Sequence, residues 1–321
     1  MRRFLLTGGL AAAAIVGLCG PVAAAVTVVA SIKPVHSLVA GVMAGAGSPH
    51  LIVQGGASPH AISLKPSDAT ALQEAAVVFW VGEDLEAFLA PALESLAATA
   101  SVVALAEVPG LVRLPYREGG PWAEHEHEHG HGHEHEHEHE EEHEHEHEAI
   151  DLHLWLDPDN ATVMVGAIAA ALAAADPANE ALYHSNAESM TARLEALAGE
   201  IEAALAPVKG VPFIVFHDAF QYFDHRFGLN TVGSLTVNPE NQPGAQRLRE
   251  IQAKIATLGA RCVFTEPQFE PRLAQVVVEG SAARTGTLDP LGANLPDGPE
   301  LYFELLRANA ASLKTCLAEA S

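Results

Sequence analysis

"VTVVASIKPVHSLVAGVMAG", residues 26–45, decides the fold. Its first six residues are β-branched and small, the composition of a buried strand. Lys33 and Pro34 then open a segment with helical spacing, and proline suits a first helical turn. The same strand-then-helix unit recurs outward from this stretch. "HLIVQ" (50–54), "AVVFWVG" (76–82) and "SVVAL" (101–105) read as strands, with "KPSDATALQEA" and "EDLEAFLAPALESLA" as helices between them. Farther along, "VPFIVF" (211–216), "LNTVGSL" (229–235), "RCVFTE" (261–266) and "RTGTLD" (284–289) alternate with helical segments, the last near 300–320. Strands alternating with helices predict parallel sheets covered by helices. Between the two series Leu182, Met190, Leu194, Leu197, Ile201 and Leu205 fall at helical spacing after Asp176 and Pro177. The expected architecture is α/β with two lobes, each a parallel sheet flanked by helices, joined by one long helix. The expected boundaries are a leader at 1–25, a first lobe at 26–175, a linking helix at 176–206 and a second lobe at 207–321.

The N-terminus begins with Arg2 and Arg3, continues through a small apolar run, and offers Ala23-Ala24-Ala25 as a cleavage site. This predicts an exported chain, cut after about Ala25 and resident in the periplasm. No later segment is expected to approach the roughly twenty apolar residues of a membrane span. Cys19 leaves with the leader, so Cys262 and Cys316 are left to form a disulfide or to stay as two buried thiols. An oxidising compartment favours the bond.

Residues 125–148 read "HEHEHGHGHEHEHEHEEEHEHEHE". His125, His127, His129, His131, His133, His135, His137, His139, His143, His145 and His147 alternate with glutamates, and no apolar side chain is present. Such a tract has nothing to bury against the entropy of ordering. Imidazole is the commonest metal ligand, so the composition points to weak, multiple metal capture in a disordered loop over 124–148. In an extended chain the imidazoles line one side and the carboxylates the other. The loop would collect zinc by raising its concentration near a tighter site. Glutamates 124–148 supply half of the formal charge of −24. The rest of the chain is still acidic, and no basic stripe suggests a nucleic-acid partner.

Ligands in open parallel sheets bind beyond the carboxyl ends of strands. His60 lies a short loop after 50–54, His217 directly follows 211–216, and Asp289 ends 284–289. His153 stands in "DLHLWLDPDN", before the next helix. These four could converge between the lobes. His36, His50, His184 and His225 carry no such placement and read as ordinary structural histidines.

The stretches "VVASIKPVHSLVA", "GGASPHAISLKPSDATALQEAAVVFWVG", "HLWLDPDNA", "FHDAFQYF" and "TLDPLG", with the His-rich insertion, resemble zinc-specific substrate-binding proteins of bacterial ABC importers. The cluster of related families also holds manganese binders and adhesin lipoproteins. The resemblance covers essentially the whole mature chain. It implies a rigid linking helix, one metal in the cleft, and delivery to a membrane permease with its ATPase by a soluble monomer. It assigns His60, His153 and His217 as ligands, Asp289 as a ligand used by some members, and Cys262–Cys316 as a disulfide of the zinc subgroup. Some zinc members place a glutamate before the first histidine. Pro59 stands there in this chain, so the fourth place falls to Asp289 or to water. Three imidazoles and a carboxylate suit tetrahedral Zn²⁺, whereas manganese prefers more oxygen. Copper also accepts imidazoles. The rival readings are a manganese carrier, a periplasmic zinc buffer without an importer, and a zinc hydrolase. The last lacks an "HExxH" and any marked general base.

Overall fold

The computed structural model describes residues 26–117, 122, 150–236, 239, 244–269 and 272–318. The predicted leader and all eleven tract histidines lie outside them. The first lobe runs β1 (Val28–Ala30), α1 (Lys33–Val42), β2 (His50–Leu51), α2 (Pro66–Glu74), β3 (Val77–Trp80), α3 (Ala90–Leu96) and β4 (Ser101–Ala104). After 150 come α4 (Pro158–Ala175) and α5 (Glu180–Leu205). The second lobe runs β5 (Pro212–His217), α6 (Gln221–Phe227), β6 (Asn230–Thr236), α7 (Ala245–Leu258), β7 (Cys262–Thr265), α8 (Arg272–Val278), β8 (Arg284–Thr287) and α9 (Leu301–Leu317). The sheets are ordered β2-β1-β3-β4 and β6-β5-β7-β8, and every strand pair is parallel. In each sheet the crossover places the carboxyl ends of the two central strands at a switch point, where ligands bind.

The linking helix is α5, 26 residues and so about 39 Å long. It is shorter than the predicted 176–206 because Asp176 still closes α4 and Pro177–Asn179 form a 3₁₀ turn. The Asp176 carboxylate accepts bonds from the Asn179 amide and the Tyr183 hydroxyl, which fixes that corner. A helix over 83–97 is also expected, yet only 90–96 is helical. Pro91 explains the difference: inside a longer helix its ring would meet the carbonyl of Ala87, so the helix can only begin beside it.

α4 is long and apolar enough, by length and composition, to cross a membrane, contrary to the reading that no such segment follows the leader. Met164, Val165, Ile168 and Leu172 are buried inside the protein, and α4 packs on α5 and α1. All ten residues of α1 are buried, where α1 meets α4, α5 and α9. One apolar core therefore runs through both lobes, from Val28 and Phe79 to Phe213, Phe264 and Tyr302. A smaller core, around Ile214, Phe216, Leu235 and Val263, lies on the other face of the second sheet. Cys262 and Cys316 are joined, tying β7 to α9 across 54 positions. In the chain-entropy model such a loop is worth about 4 kcal/mol.

Candidate metal centre

Three imidazoles meet between the lobes. His217 is the last residue of β5, held rigidly by the central strand of the second sheet. His153 precedes a 3₁₀ turn, Leu154–Leu156, that leads into α4. His60 comes from the loop between β2 and α2 and is half-buried, while the other two are buried. One nitrogen from each ring lies within 4.8 Å of the other two. Ring centroids are 5.9, 5.9 and 5.2 Å apart.

Two carboxylates set the orientation of two rings. Asp151 Oδ1 accepts from the backbone N–H of His153 at 3.0 Å and pairs with its Nδ1 at 2.7 Å. Glu266 Oε1 does the same for His217, at 3.2 Å from its N–H and 2.5 Å from its Nδ1. A carboxylate accepts, so each Nδ1 carries the proton and each Nε2 presents a lone pair. Those two Nε2 atoms face each other at 3.4 Å. Two nitrogens so placed are held together either by a proton shared between them or by a cation that both ligate. A tetrahedral zinc with bonds of about 2.0–2.1 Å spans its ligands by roughly 3.3–3.4 Å, which matches. The pocket that the three rings line together with Trp155, Phe269 and Leu291 has a volume of only ≈ 10 Å³, room for one water-sized species.

Burial, reinforced by His153 and His217, pushes the His60 imidazole down to about 2, so it stays neutral and ready to ligate. His217 is moved the other way. Burial opposes its charge, but Glu266, Asp218 and Asp151 outweigh it and raise its pKa.

Asp289 does not join the three histidines. Its Oδ1 accepts from the N–H groups of Leu291 and Gly292 at 3.0 and 2.9 Å and from the Gln268 amide at 3.1 Å. Its Oδ2 accepts from the N–H of Ala293 at 2.7 Å. The carboxylate thereby organises the loop after β8, whose Pro290 and Leu291 wall the pocket. The structure also shows partners that the sequence reading missed: Asp151, Glu266 and Trp155. Trp155 is buried in the pocket wall and donates from Nε1 to the carbonyl of Pro290 at 2.8 Å. Glu266 had a signal, since it follows β7 as His217 closes β5. Asp151 had only its spacing of two from His153.

Two parallel-sheet lobes joined by a long helix, with a small imidazole-lined pocket between them, define a cleft-type substrate-binding protein for a metal ion. The family described as "ZnuA: Zinc-uptake complex component A periplasmic" matches residues 28–316, and the chain belongs to it. It is similar to the high-affinity zinc uptake system protein ZnuA of Brucella suis, 53% identical over 326 aligned residues covering 97% of this chain and 98% of that protein. It is also similar to the ZnuA of Paracoccus denitrificans, at 42% over 301 residues, covering 90% and 91%. Among solved structures, a zinc-bound ZnuA deletion mutant shares the fold at a TM-score of 0.74 and 23% identity, covering 93% of this chain and all of that one.

Proposed function

We propose that this protein captures Zn²⁺ in the periplasm through His60, His153 and His217 and delivers it to the permease and ATPase of an ABC importer. The observation that carries this reading is the pair of Nε2 lone pairs held 3.4 Å apart, each fixed by a carboxylate behind its ring. Three neutral imidazoles leave the charge of a divalent ion to be balanced, and Asp151 and Glu266 balance it without touching the ion. Water is the fourth ligand in this arrangement. Asp289 is instead engaged by four hydrogen bonds that organise the loop after β8. Ligation dominated by three imidazole nitrogens favours zinc over manganese. The names of the relatives support the same cargo. The chain works as an exported, soluble monomer and performs no catalysis. Its histidine-rich insertion acts as a low-affinity collector.

The test is metal content and calorimetric titration of the full chain against His217→Ala. One tight zinc per chain is expected, and it should be absent from the variant. Retention of that zinc in the variant, or tighter binding of manganese by the parent protein, would defeat the reading.

A further inference from the structure

Lys33 is costly where it stands. It opens α1, where the positive end of the helix dipole disfavours a cation, and it is buried to 4% exposure. A buried ammonium persists only if its protons are used, and all three are used across the lobe boundary. Nζ lies 2.8 Å from the carbonyl of Leu295, 3.4 Å from that of Ala293 and 3.1 Å from Asp297 Oδ1. These acceptors stand about 260 positions away, in the loop between β8 and α9. The same loop is pinned at its start by the Trp155 indole on Pro290 and stiffened within by Asp289. Its Pro290 and Leu291 wall the pocket that holds the three histidines.

We propose that Lys33 is a positioning residue, an inter-lobe latch that sets how long zinc stays bound. The proposal rests on the histidine site described above. Lys33 touches neither the ligands nor the pocket, so it does not alter how zinc enters or which atoms bind it. It holds the loop against the first lobe, and the pocket wall withdraws only when the ammonium loses its acceptors. Trp155 is the second pin, next to His153, and Lys33 is the one remote from the ligands. Asp297 is half exposed, so its share of the latch is the smaller one.

The test follows zinc loss from the loaded full chain into excess chelator by stopped flow. The slow phase is assigned to the cleft by its disappearance in His217→Ala. Lys33→Met keeps the stem and removes the charge. It should speed the slow phase about tenfold or more, because truncating a buried charge pair acts on dissociation, while the association rate stays within about twofold. The absorption bands of the Co²⁺-loaded variant should match those of the parent, since the ligands are the same. Amide exchange at Leu291, Gly292 and Ala293 should quicken. Glu200→Gln, which removes an exposed pair with Arg307 between α5 and α9, should change none of these. A folded Lys33→Met with an unchanged slow phase overturns the latch. If Lys33→Met does not fold, Asp297→Asn decides: about threefold faster release supports the latch and an unchanged rate overturns it. A slow phase that survives His217→Ala would instead show that the histidine site is misplaced, whatever Lys33 does.

Discussion

In the proposed site a ring needs its lone pair aimed as well as its atoms in reach. Asp151 and Glu266 do this twice in the same way, each gripping one histidine by its backbone N–H and its Nδ1. Carboxylates behind metal-bound histidines typically carry 10–100-fold of the affinity. Glu266→Gln should therefore weaken zinc binding by about 10–100-fold in chelator competition, with the melting temperature of the metal-free protein little changed. A Kd within twofold of the parent would show that the strand alone fixes His217. The pH response follows from the same contact. The pKa of His217 is raised, so as pH falls through that raised value a proton competes with the metal. His60 stays neutral down to about 2 and adds no such competition. The fall in zinc affinity should thus begin above the usual histidine range, and Glu266→Gln should shift that onset to lower pH. A calorimetric pH series checks both. His217 and His60 were legible because they follow strands of parallel sheets, whereas His153, which follows no strand, was assigned through the family resemblance. Their carboxylates were not legible, because acidic residues are common at strand ends and loops, and only the fold shows which ones back a ring.

The strands were legible as elements because runs such as 76–82 and 211–216 are β-branched, apolar and bounded by polar turns. The segment after β3 was misread, although its glutamates and leucines keep helical spacing. There Glu86 turns inward instead and accepts from the N–H groups of Val81 and Gly82, at 2.7 and 3.3 Å. Burial raises its carboxyl to about 7, against the opposing pull of those amides. In the unfolded chain it titrates near 4.5. Between those values the folded protein holds a proton that the unfolded chain has lost. The contribution of Glu86 to stability is therefore full below 4.5 and is lost as pH rises through 7. The shift corresponds to about 3 kcal/mol. Glu86→Gln keeps the acceptor and removes the ionisation, so the variant should be more stable than the parent at pH 8 by up to about 3 kcal/mol. The difference should shrink toward pH 5. Denaturant unfolding at the two pH values measures it, and equal differences at both would refute this assignment.

At the scale of the molecule, one core crosses both lobes, and the described flanks of the insertion meet beside the site. Pro115 bridges Ile150 in antiparallel fashion, and the N–H of Asp151 donates to the carbonyl of Leu114 at 2.9 Å. The Tyr222 hydroxyl sits on both stalks, accepting from the N–H of Leu114 and donating to the carbonyl of Asp151. Arg117 reaches from one stalk to Asp218 and Asp224, next to His217. The described flanks, 114–117 and 150–151, are thus joined to each other and fastened to the second lobe. Excising residues 124–148 should leave the fold and the tight site intact, because the described flanks already pair at Pro115 and Ile150. The total zinc bound at high concentration should fall by the tract's low-affinity sites, while one tight zinc keeps its Kd within about twofold. Those lost sites should be the ones that weaken near pH 6, where free imidazoles protonate. Equilibrium dialysis of the parent and the excised chain at pH 7.5 and pH 6 separates the two classes. Loss of the tight ion on excision would mean that the alternating histidines, and not the convergence of His60, His153 and His217, hold the metal.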